Sequence, residues 1–191
     1  MNHPASTSGW NLVHLAEVPA KPWLNGGGAT RELLAWPHAG DWLWRFSVAE
    51  VAQDGPFSRL EGVHRWFVVL NGNGVRLRLE GETHELRADS PPFPFDGGAI
   101  TDCQLIAGPT QDFNLMLRRG TARVHRVSGS PRYLLDGVSL AAIYTGSLPV
   151  TAVVGAHAQE FAPHTLAWRL SGGDVAVTVL GEGALWMEIR Q

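Results

Sequence analysis

The sequence predicts an all-β fold built from many short antiparallel strands. Its 191 residues include 22 glycines and 12 prolines, and turn signals of this kind recur about every eight to twelve positions in β-sandwiches. Short apolar runs lie between the turns, and no segment shows a long helical repeat of apolar residues with capping residues at its ends. This rhythm is typical of a sandwich or a barrel.

Six runs give the clearest strand signals, at residues 42–51, 65–70, 75–80, 113–118, 164–169 and 175–180. After the second run, the sequence Asn-Gly-Asn-Gly at 71–74 predicts a β-hairpin, because Asn-Gly supplies the positive φ angles of a tight turn. Residues 32–35 and 134–142 have room for one turn of helix at most.

The composition changes near residue 120. Nearly all of the polar motifs precede Gly120, and the later part is rich in Val, Ala, Leu and Gly. We therefore expect two halves. Residues 1–120 carry the pocket motifs, and residues 121–191 form a plainer β half packed on the first as one compact unit.

Charge and cysteine content bear on the partners and the cellular compartment of the protein. The formal net charge is -3 and there is no basic tract, so we expect no nucleic-acid binding. The only cysteine is Cys103, which excludes an intrachain disulfide and fits a reducing compartment. The first nine residues lack the pattern of a secretory signal, and no apolar run has the length of a membrane span. We expect a cytoplasmic protein without a membrane partner.

One loop stands out by its glycines. Residues 22–32 read Pro-Trp-Leu-Asn-Gly-Gly-Gly-Ala-Thr-Arg-Glu, and glycine lets a ligand or another strand approach the main chain closely. Asn25 before the glycines and Thr30 and Arg31 after them are placed to direct hydrogen bonds to one spot. The alternative is a plain loop whose glycines only make the turn.

Two predicted strands combine an apolar face with a face of mixed polarity. Residues two apart share a face of a strand, so residues 42–48 set Arg45 and Ser47 opposite an aromatic face. Residues 112–118 set an acid, an amide, a thioether and an arginine opposite Phe and Leu. A solvated polar face is one interpretation; a small-molecule pocket is the sharper one. The barrel lumen would then be lined by Asn25, Arg45, Ser47, Asn114 and Arg118.

The histidines and the cysteine give little support to a metal or nucleophile site. No two of the eight histidines have the one-residue or four-residue separation of common ligand pairs, so we expect no metal and no cofactor. Among the histidines, His64 stays a candidate site residue, because it precedes Arg65 at the start of an apolar strand. Cys103 lies in an apolar run typical of an inert core thiol.

Several motifs occur together, in one order, between residues 10 and 120. They are residues 22–32, Trp-Arg-Phe-Ser-Val-Ala at 44–49, Asp-Gly-Pro-Phe-Ser at 54–58, residues 65–74, Gly-Pro at 108–109 and Asp-Phe-Asn-Leu-Met-Leu-Arg-Arg at 112–119. This combination resembles the HutD/Ves family of the cupin superfamily. Leu24 departs from the pattern, since the family more often has Lys or Arg there.

The resemblance implies a double-stranded β-helix, the cupin jelly roll, duplicated as two cupin-like halves. Metal-binding cupins carry a His-x-His pair and a Glu before a glycine that matches Gly72. Here Arg65 stands at the Glu position, and Ser58 and Leu60 fall near the histidine positions. The second cupin motif, near residues 92–96, also lacks its histidine. The resemblance thus implies a cupin that has lost its metal triad.

The resemblance also implies a function, namely binding of a small metabolite of histidine utilisation, such as formylglutamate or urocanate, without a known catalytic step. Both molecules carry carboxylates, which suit arginine side chains. No catalytic residue is assigned. The expected ligand-binding residues are Asn25, Thr30, Arg31, Arg45, Ser47, His64, Arg65, Asp112, Asn114, Met116 and Arg118.

Two other functions stay open on the sequence. One is a cofactor-free isomerase or hydrolase for a small carboxylate, with Asp112 or His64 as general base. The other is an interaction module without a ligand, in which apolar sheet faces form a homodimer. The resemblance favours binding without catalysis.

Overall fold

The computed structural model describes residues 9–171 and 173–191, which are almost entirely β-structure. The expected lack of a secretory signal concerns residues that lie mostly outside these ranges, and His3 lies outside them as well. A single-turn 3-10 helix spans Leu15–Glu17, and none of the described helices is long and apolar enough to cross a membrane.

The strands, in chain order, are β1 (Asn11–His14), β2 (Lys21–Pro22), β3 (Gly28–Trp36), β4 (Trp44–Val51), β5 (Gly55–Pro56), β6 (His64–Asn71), β7 (Val75–Leu79), β8 (Glu82–Leu86), β9 (Phe93–Asp96), β10 (Thr101–Leu105), β11 (Thr110–Leu117), β12 (Thr121–Arg126), β13 (Arg132–Leu134), β14 (Leu140–Tyr144), β15 (Val150–Val154), β16 (His157–Phe161), β17 (Thr165–Leu170), β18 (Ala176–Leu180) and β19 (Leu185–Arg190). All six predicted strands are present, with ends that differ by no more than three residues. Residues 32–35 lie within β3, and no helix forms in residues 134–142.

The first compact unit, Val18–Arg119, consists of two antiparallel sheets. One has the strand order β2-β3-β4-β11-β6-β9, and the other has the order β5-β10-β7-β8. Side chains from the two sheets form one buried cluster that includes Val51, Phe67, Leu77 and Cys103. The inner face of each sheet is therefore the one directed at the other sheet of its unit.

The second compact unit joins the residues up to Glu17 with Gly120–Gln191. Its two sheets have the orders β1-β17-β14-β19-β12 and β13-β18-β15-β16, and they share a buried cluster that includes Ile143, Val150, Val177 and Trp186. Strand β1 pairs with β17 through four residues, so it belongs to this unit, although the sequence placed it in the half that ends at residue 120. Packing of the two halves as one compact unit stays a prediction.

The turn at residues 71–74 is not the predicted hairpin. Strand β6 pairs with β11 and β9, whereas β7 pairs with β10 and β8, so the turn carries the chain from one sheet to the other. Gly72 and Gly74 do have the positive φ angles that Asn-Gly predicts, +95° and +99°. A Cβ at Gly74 would lie 2.3 Å from the Leu86 carbonyl oxygen, so this glycine is also required for a close backbone approach.

Candidate functional site

A cavity of about 530 Å³ opens on the inner face of the six-stranded sheet in the Val18–Arg119 unit. Apolar side chains form most of its wall, among them Trp23, Phe57, Leu60 and Met116. Placed polar groups on an apolar wall are the usual make-up of a small-molecule site. The polar lining residues are Asn25, Thr30, Arg45, Ser47, Ser58, Arg65 and Asn114.

The register of three neighbouring strands brings the polar groups together. Met116 of β11 lies opposite Arg45 of β4 on one side and Arg65 of β6 on the other. Adjacent strands are about 4.8 Å apart, and laterally paired residues point to the same face. The pleat of the sheet thus aligns two guanidinium groups with a thioether between them. One step along, Asn114 lies opposite Ser47.

Arg65 is buried, with 6% of its surface exposed. Its Nη2 donates a 2.8 Å hydrogen bond to Asn114 Oδ1, and its Cζ lies 5.1 Å and 4.8 Å from the ring centres of Phe57 and Phe95. Burial, and after it the positive charge of Arg45, lowers the pKa of Arg65 to about 10. Its Nε has no hydrogen-bond partner among the described residues.

Arg45 is the second cation of the cavity. Its Nη2 lies 3.1 Å from Met116 Sδ, and its Cζ lies 5.1 Å from the ring centre of Trp42. Burial lowers the pKa of Arg45, the negative charge of Glu32 raises it, and the positive charge of Arg118 lowers it. The described residues include no ion-pair partner for this guanidinium or for that of Arg65. The cavity therefore holds two cations that the described part of the chain leaves without paired anions.

The glycine loop forms one wall of the cavity. The indole nitrogen of Trp23 donates a 2.8 Å hydrogen bond to Thr30 Oγ1, and the Gly27 N–H donates to Asn25 Oδ1 over 3.1 Å. A Cβ at Gly28 would lie 2.2 Å from the carbonyl oxygen of Glu50, so this glycine allows β3 to approach β4. The loop is thus both a structural turn and a part of the cavity wall, because Asn25 and Thr30 line the cavity.

Seven of the expected ligand-binding residues line the cavity: Asn25, Thr30, Arg45, Ser47, Arg65, Asn114 and Met116. Three others are occupied elsewhere. Arg31 donates to the Val18 carbonyl over 2.7 Å and lies 3.7 Å from Glu50. His64 is exposed at the start of β6 and alternates with Arg65, so it points to the opposite face. Arg118, past the end of β11, lies over the Trp42 ring at 4.3 Å.

Asp112 is on the inner face but does not line the cavity. It is fully buried, and its Oδ2 accepts a 2.7 Å hydrogen bond from the Thr110 hydroxyl. Burial raises the pKa of Asp112 to about 7, against the opposite effect of that hydrogen bond. Its Oδ1 has no partner among the described residues. Its lateral partner on β4 is Ala49, which does line the cavity, so Asp112 lies beside the cavity lining on the same face of the sheet.

Sequence reasoning missed the residues that hold Arg65 in place. Phe57 and Phe95 lie on the guanidinium of Arg65, and the backbone of Phe57 is fixed by a 2.9 Å hydrogen bond to the Thr101 carbonyl. Phe57 belongs to the Asp-Gly-Pro-Phe-Ser motif at 54–58, which was a usable signal. The alternation of faces along a strand could not identify Phe57, because Phe57 follows β5, which has only two residues.

The positions that would carry a cupin metal triad hold other side chains. Ser58, Leu60 and Arg65 all line the cavity, and none of them is a usual metal ligand. Within residues 9–171 and 173–191, no three His, Cys, Asp or Glu side chains come together as a metal site.

Two curated proteins are similar to this chain in sequence. A 21.2 kDa uncharacterised protein in the hutC 3' region of Pseudomonas putida is 31% identical over 170 residues, covering 85% of this chain and 87% of its own. The protein Ves of Citrobacter koseri is 37% identical over 108 residues, covering 55% of this chain, which spans 56% of the length of that relative.

Solved structures give the same result for the fold. HutD from Pseudomonas fluorescens SBW25 superposes with a TM-score of 0.86 at 28% identity, over 95% of this chain and 98% of its own. A cupin 2 conserved barrel domain protein from Leptotrichia buccalis has a TM-score of 0.59 at 8% identity, with full coverage of both chains. The second likeness concerns the fold alone, and it confirms the predicted cupin architecture. The HutD family model matches residues 15–187, and the chain belongs to the HutD family.

Proposed function

We propose that the cavity of the Val18–Arg119 unit binds a small carboxylate metabolite, with Arg45 and Arg65 holding the carboxylate group. The observation that carries this proposal is the pair of guanidinium groups in one cavity, without ion-pair partners among the described residues. Binding without a metal or cofactor fits the side chains at the cupin metal positions.

The energetics of the two arginines favour an anionic ligand. Burial disfavours both charges; Arg65 also lies in the positive field of Arg45, and Arg45 lies in the opposing fields of Glu32 and Arg118. A carboxylate placed between them would accept charge-assisted hydrogen bonds, each worth about 1.5–3 kcal/mol. The cavity of about 530 Å³ is far larger than a lone carboxylate such as formate. The proposed ligand therefore carries further atoms beyond its carboxylate group.

The family membership suggests where such a ligand arises. One relative is described by its position in the hutC 3' region, and a structural neighbour is HutD itself. We therefore place the ligand in histidine utilisation, as a formylglutamate-like or urocanate-like carboxylate through which the protein modulates that process. A cytoplasmic location is part of the same proposal.

Catalysis receives less support from the geometry. The two candidate general bases, Asp112 and His64, do not line the cavity. A base has to reach the reacting proton directly or through one water. Dimer formation without a ligand would leave the two arginines of the cavity without a role.

A thermal-shift experiment tests the proposal. Wild-type protein is heated with formylglutamate, urocanate or formate, and with sodium chloride at equal ionic strength. At a hundredfold excess over the dissociation constant, a binding carboxylate stabilises the protein by about 2.7 kcal/mol.

The Arg65→Gln variant is expected to bind about tenfold more weakly or worse, because a charge-assisted bond is lost. Arg78→Gln is the matched control, since Arg78 is exposed on β7 of the other sheet. Failure of every carboxylate to stabilise the wild type beyond chloride would overturn the proposal.

A further inference from the structure

We infer that the cavity selects carboxylates that carry a second hydrogen-bond acceptor and no ammonium group, so that it rejects free amino acids. This inference rests on the proposed carboxylate binding and goes further, since it names the class of ligand. It follows from which atoms of the polar side chains remain free to contact a ligand.

At the arginine end of the cavity, the free side-chain groups are donors. Asn114 Oδ1 is occupied by the Arg65 hydrogen bond of 2.8 Å, so the amide of Asn114 offers its NH₂ group. Arg45 and Arg65 can only donate. A carboxylate satisfies all three groups, whereas a ligand donor finds no free charged acceptor on them.

At the glycine-loop end of the cavity, the free side-chain groups are again hydrogen-bond donors. Asn25 Oδ1 accepts the Gly27 N–H, which leaves the Asn25 NH₂ group for a ligand. Thr30 Oγ1 accepts the Trp23 indole N–H, which directs the hydroxyl hydrogen of Thr30 elsewhere. This second group of donors suits a carbonyl or a second carboxylate on the same ligand.

Among the described residues, no acidic side chain lines the cavity to compensate a ligand ammonium; Glu32, whose negative charge acts on Arg45, lies outside the lining. None of the described lining residues is Asp, Glu or His. The serine hydroxyls at 47 and 58 can accept a hydrogen bond but carry no charge. A ligand ammonium would also be repelled by Arg45 and Arg65 in a partly desolvated space, where charges interact strongly.

Matched pairs of ligands test the inference, because the members of each pair differ mainly in an ammonium group. Calorimetric titration compares glutarate with glutamate, succinate with aspartate, and acetate with glycine. In each pair that binds, we expect the wild type to prefer the member without the ammonium by about tenfold or more.

A single variant is expected to reverse part of this preference. Asn25→Asp keeps an oxygen for the Gly27 N–H and places a carboxylate at the glycine-loop end. It is expected to shift the preference toward the amino acid by about tenfold. Asn71→Asp is the matched control, because Asn71 Oδ1 also accepts a nearby backbone N–H, that of Gly72 at 2.8 Å, on an exposed turn.

The outcomes separate the two proposals. If an amino acid binds the wild type as tightly as its partner, the selectivity inference is wrong and carboxylate binding stands. The selectivity inference is equally wrong if Asn25→Asp changes the preference no more than Asn71→Asp does. If neither these probes nor the metabolite panel binds, carboxylate binding itself fails, and the inference fails with it.

Discussion

The two units of the chain place charged side chains at comparable points of their sheets, yet use them differently. In Val18–Arg119, the row across β4, β11 and β6 is Arg45, Met116 and Arg65. In the other unit, the row across β17, β14 and β19 is Arg169, Ala141 and Glu188. The first row has two like charges, and the second has two opposite ones.

The surroundings of the second row satisfy the charge of its acid within the chain. Glu188 accepts hydrogen bonds from the Trp186 indole at 3.0 Å and from Arg190 at 3.3 Å. Tyr133 stacks on Trp186 with ring centres 4.1 Å apart. Glu188 is thus paired by residues of its own strand, whereas the row of Arg45 and Arg65 beside the cavity contains no acid; we propose that an anion from outside binds there.

The largest effect that tests this difference between the two rows is expected from removing Glu188, the acid of the second row. Glu188→Leu leaves the Trp186 N–H without its acceptor and Arg190 without its partner. We expect the free energy of unfolding to fall by about 2–3 kcal/mol, with carboxylate affinity unchanged. Urea unfolding and calorimetry measure the two quantities. A lost affinity with unchanged stability would contradict the division of roles.

A second test concerns the pH dependence of stability contributed by Asp112, the buried acid beside the cavity lining. The pKa of Asp112 is about 7 in the folded protein, raised from 3.8 by burial. Between these values the folded state holds a proton that the unfolded state has lost, so stability falls as pH rises from about 4 to about 7. Asp112→Asn removes this contribution while keeping an oxygen for the Thr110 hydroxyl.

We therefore expect Asp112→Asn to gain about 3 kcal/mol relative to the wild type between pH 4.5 and pH 8. Urea unfolding at pH 4.5, 6 and 8 measures the change. Asp136→Asn serves as the control, because Asp136 is exposed. A difference between Asp112→Asn and the wild type that stays constant with pH would show that Asp112 does not titrate as described.

The smallest expected effect concerns the aromatic rings that hold Arg65 in place. Phe57→Leu removes one of the two rings on the Arg65 guanidinium, an interaction worth about 0.5–1 kcal/mol. We expect carboxylate affinity to fall about threefold in this variant. In an Arg65→Gln background the same change is expected to have no further effect, because the two residues act together. An additive loss would mean that Phe57 contacts the ligand independently of Arg65.

The sequence was informative wherever the signal was local. The two-residue alternation along β4 and β11 identified Arg45, Ser47, Asn114 and Met116, since each strand's pattern directly states which residues share a face. The same pattern failed at Arg118, because strand β11 ends at Leu117 and the alternation ends with it.

Long-range pairing was beyond the sequence. The Asn-Gly turn fixes the backbone angles of residues 71–74 but does not state which strands pair afterwards. The pairing of β1 with β17 joins residues that are more than 150 positions apart, and its local residues carry no mark of that partner. Burial of Asp112 beside Ala49 depends on the second sheet, which no single strand reveals.

A crystal structure of the wild-type protein with its best-binding carboxylate tests the central claim most directly. The account predicts the carboxylate group between Arg45 and Arg65, with its oxygens within about 3 Å of nitrogen atoms of both guanidinium groups. It also predicts the remainder of the ligand against the apolar wall, reaching toward Asn25 and Thr30. A ligand bound elsewhere on the protein, or seated in the cavity with its carboxylate away from both arginines, would contradict the account.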